Sequence, residues 1–135
     1  MRRILFDANV WVSAFIYPSS VPGQSIRLLR LKRVSSVISP ALIDQVLRAL
    51  VRIRASEETL QEARTELVTL SSLVEPTLRL AVIIAKESDN RVLECAVAGQ
   101  VEFIVTGDRK HLLRLGQYEG IPIISPREFV ETVGS

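Results

Sequence analysis

Short apolar runs alternate along the chain with segments in which apolar residues recur every three or four positions. The runs at 4–6, 34–38, 103–106 and 121–124 predict strands. The periodic segments predict helices, which begin after Asp7, near Gly23, at Ser39-Pro40, at Ser56, near Asp89, at Arg109 and at Ser125-Pro126. The segment 80–85 fits either an extended or a helical conformation.

Strands that alternate with helices favour a mainly parallel sheet covered by helices on both faces. We therefore predict a three-layer α/β/α fold. No repeat, linker or low-complexity stretch divides the sequence, so we expect a single domain over residues 1–135.

Composition narrows the class of protein. With 47% hydrophobic residues among 135, the chain can bury a core without disulfides or structural metals. The lone Cys95 excludes a disulfide framework and a cysteine-based zinc site, which fits a reducing cytoplasm. Asp7 and Asn9 interrupt the basic and apolar start, and no membrane-length apolar run follows, so we expect a cytoplasmic protein with no membrane partner.

Charge is distributed unevenly. Residues 1–54 carry a net charge of +7 and residues 55–135 a net charge of −5, although the total is only +2. A basic face attracts phosphates and indicates a nucleic acid partner, while a solvated helix surface remains the alternative for each residue. The basic residues of the first segment, beyond Arg2 and Arg3, are Arg27, Arg30, Lys32, Arg33, Arg48, Arg52 and Arg54.

Three aspartates stand where predicted strands end or helices begin. Asp7 follows the first strand, Asp89 opens a helix, and Asp108 follows the strand 103–106. The carboxyl ends of parallel strands meet at one edge of a sheet, where ligands bind in open α/β folds. We therefore predict a common acidic site, with helix capping as the alternative for each aspartate taken singly.

Several segments, in order along nearly the whole chain, resemble the PIN domain, and more closely its toxin branch related to VapC toxins. They are Asp7-Ala8-Asn9, Ser39-Pro40, 89–96, 104–108 with Leu112-Leu113, and 123–129. The resemblance implies a metal-dependent ribonuclease of a toxin–antitoxin pair, with RNA as substrate, an antitoxin protein as partner and a homodimer as assembly.

The resemblance also assigns roles. It implies that Asp7, Asp89 and Asp108 are the catalytic, metal-binding cluster and that Asn9 and Thr106 are its polar supports. Three crowded carboxylates repel one another unless a cation neutralises them, and ligation by oxygen alone favours Mg²⁺ or Mn²⁺. We expect RNA contacts from Arg48, Arg52, Arg109 and Lys110.

One position departs from the family pattern. The helix after Ser39-Pro40 usually carries a glutamate, and Gln45 stands in its place. The neighbouring Asp44 is a candidate metal ligand, but successive helical residues diverge by about 100° around the axis, so it cannot take over the same spot. Either the metal affinity is reduced, or the helix is rotated, or the domain binds RNA or protein without cleaving.

Other interpretations stay open at this stage. A receiver-like phosphoacceptor domain is also α/β with an acidic magnesium site, although the chain lacks the pair of acids that it needs after the first strand. Glu94 is expected to be a solvated surface acid, with a place near the site as the alternative. The apolar faces at 26–31 and 42–50 indicate a partner surface, or else core packing.

Overall fold

The computed structural model describes residues 1–83 and 86–134. The described residues form six strands and seven helices. The strands are β1 Arg3–Phe6, β2 Ser35–Ile38, β3 Ser71–Leu73, β4 Phe103–Val105, β5 Gln117–Tyr118 and β6 Ile121–Ile124. The helices are α1 Ala8–Ile16, α2 Val21–Arg30, α3 Pro40–Arg52, α4 Glu57–Thr69, α5 Glu87–Gly99, α6 Leu112–Leu115 and α7 Pro126–Val133.

The strands make one sheet in the order β3-β2-β1-β4-β6-β5. All neighbouring pairs are parallel except β5 and β6, which are antiparallel. Helices flank this sheet, so the predicted three-layer α/β/α fold with a mainly parallel sheet is confirmed. None of the helices in the described ranges is long and apolar enough to cross a membrane.

The sheet order places the functional edge. From β1 the chain builds outward to β2 and β3 on one side, while β4 and β6 lie on the other side. Phe6 pairs with Val105, so the carboxyl ends of β1 and β4 lie side by side. A crevice forms where the strand order reverses in this way, because the connections after the two strands turn to opposite sides.

The predictions miss some elements. The helix expected from Arg109 begins at Leu112, after a turn at 109–111. β3 was not predicted because Ser71 and Ser72 give it no apolar run, and β5 has only two residues. Of the undecided segment 80–85, residues 80–83 are neither helix nor strand, while Ile84 and Ala85 lie outside the described residues.

An aromatic cluster anchors α1 and α7 on the sheet. The ring of Phe6 packs edge-to-face against Trp11 at 6.0 Å and against Phe129 at 5.4 Å between centroids. The apolar faces at 26–31 and 42–50 are largely core: Ile26 and Leu50 are fully buried, whereas Leu31 is 56% exposed. The core interpretation of these two faces is therefore correct for most of their residues.

Candidate acidic site beside a basic cleft

Asp7 is fixed at the junction of β1 and α1. Its backbone N–H donates to the carbonyl of Val105 at 2.9 Å, which ties it to the end of β4. Its carboxylate caps α1 by accepting from the N–H of Ala8 at 2.7 Å, and it accepts from the Asn9 amide at 3.1 Å and the Thr106 hydroxyl at 2.8 Å. Asp7 is therefore a helix cap and also faces the sheet edge. Burial raises the pKa of its carboxyl group despite these hydrogen bonds.

Thr106 and Asn9 connect the ends of the two central strands. The fully buried Thr106 accepts from the backbone N–H of Asp108 at 3.0 Å while its hydroxyl donates to Asp7. Asn9 accepts from the N–H of Gly107 at 3.0 Å through its side-chain oxygen. These contacts link the loop that carries Asp7 to the loop that carries Asp108.

Asp108 closes the turn that precedes α6. Its carboxylate accepts from the backbone N–H groups of Lys110 at 3.2 Å and His111 at 3.3 Å. Partial burial opposes ionisation, but the contact with Asp89, the backbone N–H groups and the charge of Lys86 together lower the pKa of Asp108. Asp108 therefore closes the turn before α6 but does not cap the helix, because the N-cap is His111, so the capping interpretation is wrong for Asp108.

Asp89 lies in the first turn of α5 and is not its cap, because that position is Lys86. The residue is 2% exposed, and its Oδ2 finds no hydrogen-bond donor among the described residues. Burial, reinforced by the hydrogen bond with Asp108 and the charge of Asp7, raises the pKa of Asp89 to about 7. The pKa values of the two neighbouring carboxyl groups therefore shift in opposite directions, that of Asp89 upward and that of Asp108 downward.

Lys86 is a site residue that the sequence analysis missed. Its Nζ lies 3.7 Å from Oδ1 of Asp89 and 3.9 Å from Oδ2 of Asp108. The spacing of three residues between Lys86 and Asp89 at a helix start was the available signal, since such residues are neighbours on a helix. The contact with Asp108 depends on the tertiary fold and has no signature in the sequence.

The three predicted acids therefore meet at one sheet edge, but not as a finished metal centre. The Asp89 and Asp108 carboxyl groups are neighbours, and the charge of Asp7 acts on both. Thr106 links Asp7 to Asp108, because it donates to the Asp7 carboxylate and accepts from the backbone N–H of Asp108. Within residues 1–83 and 86–134, no three His, Cys, Asp or Glu side chains are grouped closely enough to hold an ion. A cation that engaged all three carboxylates would require their side chains to move together.

A cleft of about 370 Å³ adjoins Asp7 and Asp89. Its far wall is the face of α3 that carries Asp44, Gln45, Arg48 and Arg52, and Lys86 also lines it. Two arginines and a lysine thus surround a space next to the buried acids. Such a combination suits a phosphate group placed beside carboxylates.

The two α3 candidates have different surroundings. Gln45 donates from Nε2 to the carbonyl of Ser88 at 3.1 Å, which links α3 to the first turn of α5. Asp44 pairs with Arg48 at 2.8 Å, and its side chain is 58% exposed. Gln45 therefore lies closer to the predicted acidic site than Asp44, whose charge is already matched by an arginine.

The four predicted RNA-contacting residues do not share one surface. Arg48 and Arg52 line the cleft. Arg109 lines a separate depression of about 300 Å³ together with Arg127, and Lys110 is exposed. Of the four, Arg48 and Arg52 are thus the two that share a cleft with Asp7 and Asp89.

Buried hydrogen bonds and an ion pair, made by Asn90, Arg91 and Glu94 of α5, hold the segment before this helix. Asn90 is fully buried and exchanges two hydrogen bonds of 2.8 Å with the backbone of Ile83. Glu94 accepts from the N–H of Leu80 at 2.6 Å and pairs with Arg91 at 2.8 Å. The expectation of a solvated Glu94 is wrong, since it is 5% exposed and its charge is paired. These polar contacts position the start of α5, and with it Lys86 and Asp89.

Comparison with known proteins gives a consistent result. The model of the PIN domain family matches residues 3–110. An uncharacterized protein of Methanocaldococcus jannaschii is 21% identical over 141 residues, covering 96% of this chain and 90% of the relative. This relative carries no stated activity.

Two solved structures share the fold. The VapBC2 structure from Rickettsia felis, bound to a DNA fragment from its promoter, aligns with a TM-score of 0.65 and 12% identity, covering 91% of this chain and 98% of that chain. VapC20 of Mycobacterium tuberculosis, a sarcin-ricin loop cleaving toxin, aligns with a TM-score of 0.59 and 14% identity, covering 88% and 98%. At these identities the similarity establishes the fold.

Proposed function

The chain belongs to the PIN domain family, and on this premise we propose that it is a metal-dependent endoribonuclease, the toxin of a toxin–antitoxin pair. The observation that carries the proposal is the position of two buried acids, Asp7 and Asp89, on a cleft that Arg48 and Arg52 also line. Acids that bind a metal and arginines that bind phosphates are two parts that promote metal-dependent hydrolysis of a phosphodiester. The fold shared with VapC20, which cleaves the sarcin-ricin loop, supports RNA as the substrate class.

The donor set fits a divalent cation. Its candidate ligands, Asp7, Asp89 and Asp108, offer only carboxylate oxygens, which suit Mg²⁺ or Mn²⁺. The buried Oδ2 of Asp89 has no donor among the described residues, so one oxygen is free for a cation. When bound, the ion supplies a lowered pKa for a coordinated water and positive charge against the scissile phosphate. Asp44 is a poorer candidate because Arg48 already pairs with it.

The remaining site residues bind and orient. Thr106 and Asn9 hold the Asp7 carboxylate by hydrogen bonds, which limits its rotation. Arg48 and Arg52 attract the RNA backbone and hold it in the cleft. Gln45 fixes the start of α5, and therefore Asp89, through its hydrogen bond to Ser88.

The antitoxin and the homodimer are further parts of the proposal. The VapBC2 structure, which is bound to a DNA fragment from its promoter, shares the fold. This similarity supports a cognate antitoxin for the present chain. An apolar depression lined by Leu47, Arg48, Val51 and Arg52 lies next to the cleft. Such a surface suits a protein partner that presents apolar and acidic side chains.

A second candidate function is binding of RNA without cleavage. It is favoured by the neutral Gln45 on the wall of the cleft and by Lys86, which already neutralises part of the acidic charge. The receiver-like alternative is set aside, because the PIN domain model covers residues 3–110.

A cleavage assay on a mixed RNA set tests the proposal. Wild type and the Asp89→Asn variant are incubated with 5′-labelled transcripts, including a sarcin-ricin stem-loop, in the presence of Mn²⁺ or EDTA. We expect Mn²⁺-dependent cuts that Asp89→Asn abolishes. RNA binding by both proteins in a gel-shift assay, without any cleavage, would overturn the nuclease assignment and favour the binding module.

A further inference from the structure

Lys86 occupies a position that local helix chemistry does not explain. It is the N-cap of α5, yet its side chain makes no capping hydrogen bond. Ser, Thr, Asp and Asn are preferred there, and a cation is unfavourable at the positive end of the helix dipole. The compensating interaction is tertiary, because Nζ lies within 4 Å of both Asp89 and Asp108.

We propose that Lys86 is a tethered counter-ion that neutralises the acidic pair in the metal-free protein and must withdraw before a divalent cation binds. This inference rests on the proposed function, since it concerns the same acids. Among the described residues, Lys86 is the basic side chain that forms ion pairs with the carboxylates of Asp89 and Asp108. Two like charges brought together are stabilised by an opposite charge placed between them.

The geometry allows the withdrawal. The Lys86 side chain is 46% exposed, whereas the side chains of Asp89 and Asp108 are 3% and 10% exposed, so the lysine can leave while the acids stay. Lys86 also lines the cleft that contains Arg48 and Arg52. Once released from the acids, its ammonium group is free to join Arg48 and Arg52 in binding a phosphate in the cleft. Metal binding thereby strengthens the attraction of the cleft for RNA.

Calorimetric titration of Mn²⁺ tests the competition. The variants are Lys86→Met, which keeps the length and removes the charge, Lys86→Arg, which keeps the charge, and Lys32→Met, which removes the same charge from an exposed residue away from the cleft. We expect Lys86→Met to bind Mn²⁺ about tenfold more tightly than wild type. Lys32→Met and Lys86→Arg should stay within about threefold of wild type.

A melting experiment without metal supplies a second readout. Lys86→Met should lower the Tm of the EDTA-treated protein at about pH 8, because the acidic pair loses its counter-ion. The same substitution in an Asp108→Asn background should have a smaller effect, since one of the two charges is already absent.

The outcomes separate this inference from the proposed function. Equal Mn²⁺ affinity of wild type and Lys86→Met, with binding intact, overturns the counter-ion role but leaves the metal site standing. An equal loss of Tm in both backgrounds also overturns it. If neither wild type nor Lys86→Met binds Mn²⁺, both the metal site and the competition are wrong.

Discussion

The Thr106 hydroxyl donates a 2.8 Å hydrogen bond to Oδ2 of Asp7, two residues that lie 99 positions apart. The bond joins the carboxyl ends of β1 and β4, the two strands at which the sheet order reverses. Both residues are buried: Thr106 is fully buried and Asp7 is 3% exposed. The hydroxyl thus helps to fix the acid on which the proposed chemistry depends, together with the N–H of Ala8 and the Asn9 amide.

Removal of that hydroxyl should destabilise the fold and disturb Asp7. Thr106→Val keeps the shape but removes one of the three donors to the buried carboxylate, which costs about 1–3 kcal/mol of unfolding free energy. It should also raise the pKa of Asp7 further, because this hydrogen bond lowers it. Urea denaturation measures the loss. Thr106→Ser, which retains the donor, should lose less, and equal losses in the two variants would refute the role of the hydroxyl.

The buried Asp89 should make the stability of the metal-free protein depend on pH. Its folded pKa of about 7 exceeds the ordinary value of 3.8, so between these values the folded protein keeps a proton that the unfolded chain releases. The contribution of Asp89 to the free energy of unfolding therefore falls as the pH rises through this range, and it is constant above it. By about pH 8 the cost is on the order of 2–4 kcal/mol.

Urea melts of wild type and Asp89→Asn at about pH 4 and about pH 8, both in EDTA, check this sign. The variant should gain stability relative to wild type as the pH rises, because asparagine carries no charge to desolvate. A difference between the two proteins that does not change with pH would show that Asp89 titrates normally in the folded state.

Gln45→Glu should act on metal affinity and on stability in opposite directions. The new carboxylate adds an acid to the cleft and should tighten Mn²⁺ binding about tenfold. It also loses the hydrogen bond to Ser88 and faces that carbonyl, so the metal-free protein should lose about 1–2 kcal/mol. Asp44→Asn is the matched control and should change Mn²⁺ affinity by less than about twofold, since Asp44 pairs with Arg48. A larger effect of Asp44→Asn would make Asp44 the ligand instead.

The basic wall of the cleft should govern RNA affinity. Each phosphate contact contributes a slope of about −0.7 to the dependence of log K on log salt for single strands. The double variant Arg48→Gln/Arg52→Gln should reduce the slope by about 1.4 in fluorescence anisotropy titrations at several NaCl concentrations. Arg109→Gln/Lys110→Gln changes the charge equally away from the cleft. A larger change of the slope in the Arg109→Gln/Lys110→Gln variant would show that RNA binds at the other depression instead.

Much of the fold followed from the sequence for physical reasons. The central strands β1, β2, β4 and β6 each contain at least two consecutive apolar residues, and serines mark the starts of α3, α4 and α7. The edge strands β3 and β5 are short, and β3 carries exposed polar residues, so neither has such a pattern. Their pairing is decided by the neighbouring strand.

The site was predictable in part. Asp7 and Asp108 were singled out because strand ends converge, Asp89 because it stands where a predicted helix begins, and Asn9 and Thr106 because the chain resembles a family. The contact of Lys86 with Asp108 and the pairing of Glu94 with Arg91 were not, because each depends on how α5 lies against its neighbours. Periodicity shows which face of a helix is apolar, but it does not show which polar group meets an opposite charge.

Titration of Mn²⁺ into wild type, Asp7→Asn, Asp89→Asn and Asp108→Asn by calorimetry tests the central claim, that these three carboxylates form a divalent metal site. We expect wild type to bind and each variant to lose at least about tenfold in affinity, with Asp44→Asn as the control that retains binding. If wild type binds and the three variants bind equally well, the ion lies elsewhere. If wild type does not bind Mn²⁺, the three acids do not form a metal site and the proposed nuclease is contradicted.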